Sequence, residues 1–137
     1  MNKQKGFTII ELIVVIAIIA ILAAIVLVNV TVYINKAKDA RINSDIGNIA
    51  MGMAGCYSAT IPASYSGCMT NTTYVPAVLL TDITSNSGSL TYTAAPSTAY
   101  CASSQLASSS SQYVCTDSTG VTTTGALKCT SATTSCQ

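Results

Sequence analysis

Residues 5–34 read KGFTIIELIVVIAIIAILAAIVLVNVTVYI, and every side chain from Leu12 to Val28 is apolar. With Phe7 to Ile10 in front and Val30 to Ile34 behind, the stretch exceeds the roughly 20 residues an α-helix needs to cross a bilayer. Its β-branched richness would suit a buried strand, but no strand of a small domain runs on for this length. Lipid also tolerates only backbone that satisfies its own hydrogen bonds, so the stretch predicts a helix. Glu11 interrupts it. An ionised carboxylate inside hydrocarbon costs on the order of 3 kcal/mol, less near an interface, so this acid requires a compensating partner.

Outward from that stretch the apolar pattern changes period but does not end. Ile42, Ile46, Ile49 and Met53 recur at steps of four, three and four, which marks one face of a continuing helix. No proline precedes Pro62. A helix from about Thr8 to Gly52 would span roughly 67 Å, about twice the bilayer core, so its outer half must pack on something other than lipid. Gly52 and Gly55 are the expected stop signals before a loop that begins at Cys56.

The 137 residues are half hydrophobic and only 8% charged, against about a quarter charged in ordinary soluble domains. There is no His and no Trp, and Asp plus Glu number five, which disfavours His triads, His metal sites and most paired-carboxylate chemistry. The chain is therefore read as non-enzymatic, with no catalytic residue, no cofactor and no metal. A net charge of +1 supplies no basic footprint, so no direct nucleic-acid binding is expected. Charge concentrates before Cys56; beyond it only Asp82, Asp117 and Lys128 are charged, and Ser and Thr carry the polarity. The basic cluster Lys36, Lys38 and Arg41 reads as a solvated helix face, with subunit salt bridges or lipid phosphates as the alternatives.

All six cysteines, Cys56, Cys68, Cys101, Cys115, Cys129 and Cys136, lie in this second part. An even count in a small exported domain reads as up to three disulfides in an oxidising compartment. The segments Ser89–Thr93, Ala99–Ala102 and Gln112–Thr116 carry strand signals, whereas the apolar run Ala77–Ile83 suits a helix or a strand equally. A hairpin turning near Ser108 would set Cys101 beside Cys115. Cys56 with Cys68 and Cys129 with Cys136 then complete the most local pairing. The stretch from Val121 to Gln137 is low in complexity and is expected to be flexible outside a Cys129–Cys136 loop. Asn71-Thr72-Thr73 matches a glycosylation pattern short enough to occur by chance. The fold class is α+β, a long N-terminal helix packed against a small antiparallel sheet.

The residues Lys5-Gly6-Phe7-Thr8-Ile9-Ile10-Glu11-Leu12, followed by the long apolar block, closely resemble the processing motif of type IV prepilins and the related pseudopilins. The resemblance covers about the first 50 residues. It implies that a prepilin peptidase cuts after Gly6 and methylates the new N-terminal Phe7. It further implies that Glu11 pairs with the amine of a neighbouring subunit's first residue and guides assembly, and that a cytoplasmic ATPase and an inner-membrane platform protein supply the work. The organisation it implies is a leader at 1–6, a helix at 7–55 with its membrane or filament-core part at 7–34, and an extracytoplasmic head at 56–137. The leading functional expectation is a pilin that polymerises into a type IV pilus, first as a single-pass inner-membrane precursor and then at the cell surface. The alternatives are a pseudopilin of a secretion or competence machine and a membrane-anchored binding domain that never polymerises. An ordinary secretory signal cut near Ala20, Ala23 or Ala24 is the bland reading of the same segment.

Overall fold

No proline stands between Thr8 and Ala59, and helix α1 runs from Ile9 to Ala59. The computed structural model describes residues 6–94, 97–130 and 134–136, without the side chains of Val28 and Asn29; the expected leader residues 1–5 lie outside them. The chain divides into two compact units, Met1–Ile34 and Asn35–Gln137. In the first, every described residue from Gly6 to Leu27 is exposed. Among the described residues one helix, α1, is long and apolar enough to cross a membrane.

The second unit is built on the predicted stripe. Ile42, Ile46 and Ile49 are fully buried and Met53 nearly so. They pack with Val75, Ile83, Tyr100, Ala102, Leu106 and Val114 in one core. The ambiguous apolar run resolves as a helix, α2, spanning Ala77–Ser85 with Pro76 at its N-cap, where proline's missing N–H costs nothing. Four strands follow: β1 (Leu90–Thr93), β2 (Cys101–Leu106), β3 (Ser109–Asp117) and β4 (Thr122–Gly125). They form an antiparallel meander in the order β1-β2-β3-β4.

Successive side chains of a strand point to opposite faces, and β2 and β3 use both. Ala102, Leu106 and Val114 join the core on α1, while Cys101 and Cys115 gather with Cys129 and Cys136 in a second buried cluster. The central strand β2 is thus buried on both sides although it contains two serines. The second cluster covers the sheet face that a lone helix leaves open.

Four expectations need correction. Helix α1 does not stop at Gly52 or Gly55 but continues to Ala59. A Cβ on Gly52 would collide with the Tyr74 carbonyl oxygen, so this glycine admits a close backbone approach and does not end the helix. The strand expected at Gln112–Thr116 begins already at Ser109, and Thr122–Gly125, within the stretch expected to be flexible, forms β4, because pairing with neighbours overrides the weak signal of hydroxyl-rich sequence. Finally, Cys56 bonds Cys68 as expected, but Cys101 bonds Cys129 and Cys115 bonds Cys136. The hairpin does turn near Ser108, yet its register pairs Cys101 with Asp117 and Cys115 with Ser103. The two cysteines are therefore diagonal and not opposite, and each takes a partner from the C-terminal segment.

Asp45, on α1 between two buried isoleucines, is itself buried. Its Oδ2 has no partner among the described residues. Asp82 of α2 lies close by, bonded to Arg41 through Nε–Oδ2 at 2.7 Å. Burial, and then the charge of Asp82, push the Asp45 carboxyl above the usual range; the nearby Arg41 opposes this and loses. A carboxyl raised on folding contributes stability that is complete below the unfolded value, about pH 4, and is lost as pH rises through the folded value. Asp45→Asn, which is neutral at all pH, is therefore expected to raise the thermal midpoint of the full chain in detergent at pH 7. The gap to wild type should close toward pH 4, and parallel midpoints across that range would refute the assignment.

Candidate functional site at the N-terminal segment

The site is built by the start of α1. Gly6, Phe7 and Thr8 precede the first helical residue, Ile9, and take no regular secondary structure. Phe7 is 82% exposed. No described neighbour lies within 4 Å of the point where a Cβ on Gly6 would stand, so nothing in the fold itself demands glycine there. The Gly6–Phe7 bond is thus open, in non-helical backbone, immediately ahead of a helix.

Thr8 and Glu11 close a reciprocal cap. The Thr8 N–H and the Thr8 hydroxyl both donate to Glu11 Oε2, each at 2.8 Å. The Glu11 N–H is directed back at the Thr8 hydroxyl oxygen at 3.3 Å. This is the capping box, in which a hydroxyl residue and an acid three positions on satisfy donors that the first turn leaves open. The negative side chain also sits at the positive end of the helix dipole. Both donors from Thr8 fall on one carboxylate oxygen, so the acid retains acceptor capacity.

The sequence reading placed Glu11 in the first turn but missed Thr8. The signal was present: a Ser or Thr three residues before an acid, at the head of an apolar run. It alters the account of Glu11, whose charge is partly compensated by its own chain. The site residues Gly6, Phe7 and Glu11 lie together over one turn of chain, whereas all six cysteines lie in the other unit.

Residues 1–27 match the family described as the prokaryotic N-terminal methylation motif. The segment thus matches the cleavage and methylation motif of type IV prepilins and pseudopilins. The match ends at residue 27, so it speaks for the processing segment and the start of α1 and not for the head. No curated protein and no solved structure matches the chain significantly.

Elsewhere, three sulfurs, those of Cys101, Cys115 and Cys129, lie within 4.8 Å of one another. All three are held in disulfides, and a disulfide sulfur is not the thiolate that binds a metal. Two of the three cations in the basic cluster are engaged within the head: Lys38 Nζ donates to Ser87 Oγ at 3.3 Å and Arg41 bonds Asp82.

Loss of an N-cap hydroxyl costs about 1 kcal/mol. Thr8→Ala is therefore expected to speed amide hydrogen exchange in the first turn of α1 about fivefold, with exchange beyond Leu22 unchanged. Unaltered first-turn exchange, measured in detergent micelles, would refute the cap.

Proposed function

We propose that this chain is a pilin: a single-pass inner-membrane precursor, cut between Gly6 and Phe7, methylated on Phe7, and polymerised into a type IV pilus. The observation that carries the reading is the methylation motif set directly ahead of an exposed apolar helix with one acid in its first turn. An exposed, non-helical Gly6–Phe7 bond suits a peptidase. Because the fold does not require glycine at position 6, the requirement is assigned to that enzyme's site. Cleavage ahead of the apolar segment leaves the anchor in place, unlike cleavage near Ala24, which would remove it.

The physics of assembly follows from the same residues. From Ile9 to Ile34 the helix measures about 39 Å, enough to span the roughly 30 Å hydrocarbon core. Moving this surface from lipid to a bundle of like helices gains little, since lipid tails are as apolar as leucine, so close packing and charge pairing must choose the register. Cleavage creates a new amine on Phe7. In a dry filament core that amine requires an acceptor, and Glu11 of a neighbouring copy has capacity beyond what Thr8 uses. A prepilin peptidase, an assembly ATPase and a membrane platform protein are the partners this reading requires.

Mass spectrometry of the mature protein is expected to find methylated Phe7 as the first residue. A chain beginning at Met1, or near Ala24, overturns the reading. An unpaired buried charge costs about 3–5 kcal/mol, equivalent to a loss of about a hundredfold or more in association. Glu11→Ala is accordingly expected to abolish surface filaments in electron micrographs while processed subunit persists in the membrane. Filaments of undiminished number and length would reject the pairing.

A further inference from the structure

The second buried cluster poses a selection problem. Cys101 Sγ lies 3.4 Å from Cys115 Sγ, and Cys115 Sγ lies 3.7 Å from Cys129 Sγ, although neither pair is bonded. Sulfur proximity therefore does not decide which bridges form. The bonded pairs are Cys101–Cys129 and Cys115–Cys136, with Cα separations of 5.8 and 5.7 Å.

The backbone around the C-terminal cysteines does distinguish the pairings. The Cys129 N–H donates to Ser103 Oγ at 3.0 Å, and the Cys136 N–H donates to Asp117 Oδ2 at 2.9 Å. Ser103 and Asp117 are buried on the same sheet face as the cysteines. In the β2–β3 register Cys101 stands beside Asp117, and Ser103 beside Cys115. The four residues make a two-by-two block with the cysteines on one diagonal and the two acceptors on the other. Each acceptor lies two residues beyond one cysteine, on its own strand, and holds the backbone of that cysteine's partner.

We propose that Ser103 and Asp117 select the disulfide pairing by fixing where Cys129 and Cys136 meet the sheet. A buried hydroxyl or carboxylate without a donor is costly, so these two acceptors favour the one arrangement that brings both N–H groups to them. Asp117 is the stronger anchor. Burial by itself would raise its carboxyl, but the Cys136 N–H, the Thr119 hydroxyl and N–H, and the Val121 N–H outweigh burial and hold it below the usual range. Its two oxygens are divided, Oδ1 taking the Thr119 N–H at 2.9 Å and the Thr119 hydroxyl, Oδ2 taking Cys136. An asparagine cannot reproduce this, because in either orientation its NH₂ faces a donor. Each bridge forms as two thiols are oxidised, their two protons and two electrons passing to a disulfide of the surroundings, which leaves as two thiols.

The test is oxidative refolding of the full chain in detergent micelles with oxidised and reduced glutathione, followed by sequencing of the disulfide-linked peptides. Wild type, Ser103→Ala and Asp117→Asn are compared, and Cys56–Cys68, outside the cluster, serves as an internal reporter of folding. The ratio of the observed pairing to Cys101–Cys115 plus Cys129–Cys136 is expected to fall about fivefold in Ser103→Ala and about tenfold or more in Asp117→Asn. Cys56–Cys68 should form as in wild type. Unchanged pairing in both variants overturns the proposal. So does scrambling of all three bridges in both, since the two residues would then hold the fold as a whole and not choose among pairings.

Discussion

A helix that is apolar around its whole circumference has no face to give to water, and the first part of α1 is such a helix. It must lie in lipid or among other apolar helices. That constraint organises the chain, because the acid at the start of the helix and the exposed Gly6–Phe7 bond ahead of it, the proposed cleavage site, acquire meaning only once the helix is committed to a dry environment. In water Glu11 would be an ordinary surface carboxylate. At the edge of a membrane it is a charge whose donors have to be provided, and Thr8 provides the first two.

The head solves a different problem with the same helix. From Ile42 onward one stripe of α1 is buried and the rest is partly or fully exposed, so the sheet needs to cover only that stripe. A four-stranded sheet packed on a single helix leaves its second face open, and this sequence has too few large apolar residues beyond Leu106 to close it with a second conventional core. Sulfur takes that place. The two bridges bury four cysteines against the outward face and tie the C-terminal segment to the two central strands. In a small domain each such bridge contributes about 2–4 kcal/mol.

Most of this architecture is legible in the sequence outward from residues 5–34. The helix, its buried stripe and the meander were legible because each rests on periodicity, which survives in a single sequence. The fourth strand and the serine-rich start of β3 were not, since Ser and Thr serve loops and strands alike, and cross-strand pairing decides between them. The end of α1 was misplaced because glycine signals both helix termination and close packing, and only the position of Tyr74 shows which applies at Gly52. The pairing of Cys101 and Cys115 failed for a narrower reason. Their closeness was inferred correctly, but the two-residue offset in register depends on the bulge between Gln105 and Leu106, which composition does not announce. At the N-terminal segment the methylation motif at 1–27 was legible, while the Thr8 cap was passed over although its spacing to Glu11 was in plain view.

The chain holds five acidic residues, and three of them show how donors, more than burial, set what a carboxylate does. Asp117 is buried with donors on both oxygens and stays ionised, so it anchors backbone. Asp45 is equally buried but has no donor on Oδ2 and faces another acid, so its proton is retained more strongly. Glu11 stands between them. Its own chain satisfies one oxygen, and no buried protein surface encloses the other. Of the three it alone is arranged to accept a donor from outside the molecule, and within the proposed filament the amine released at Phe7 is the donor that its environment lacks. In that proposed assembly the charge that makes the helix costly in isolation would become the term that distinguishes one stagger of neighbouring helices from the rest, because apolar packing changes little between staggers and the pairing of amine with carboxylate changes much.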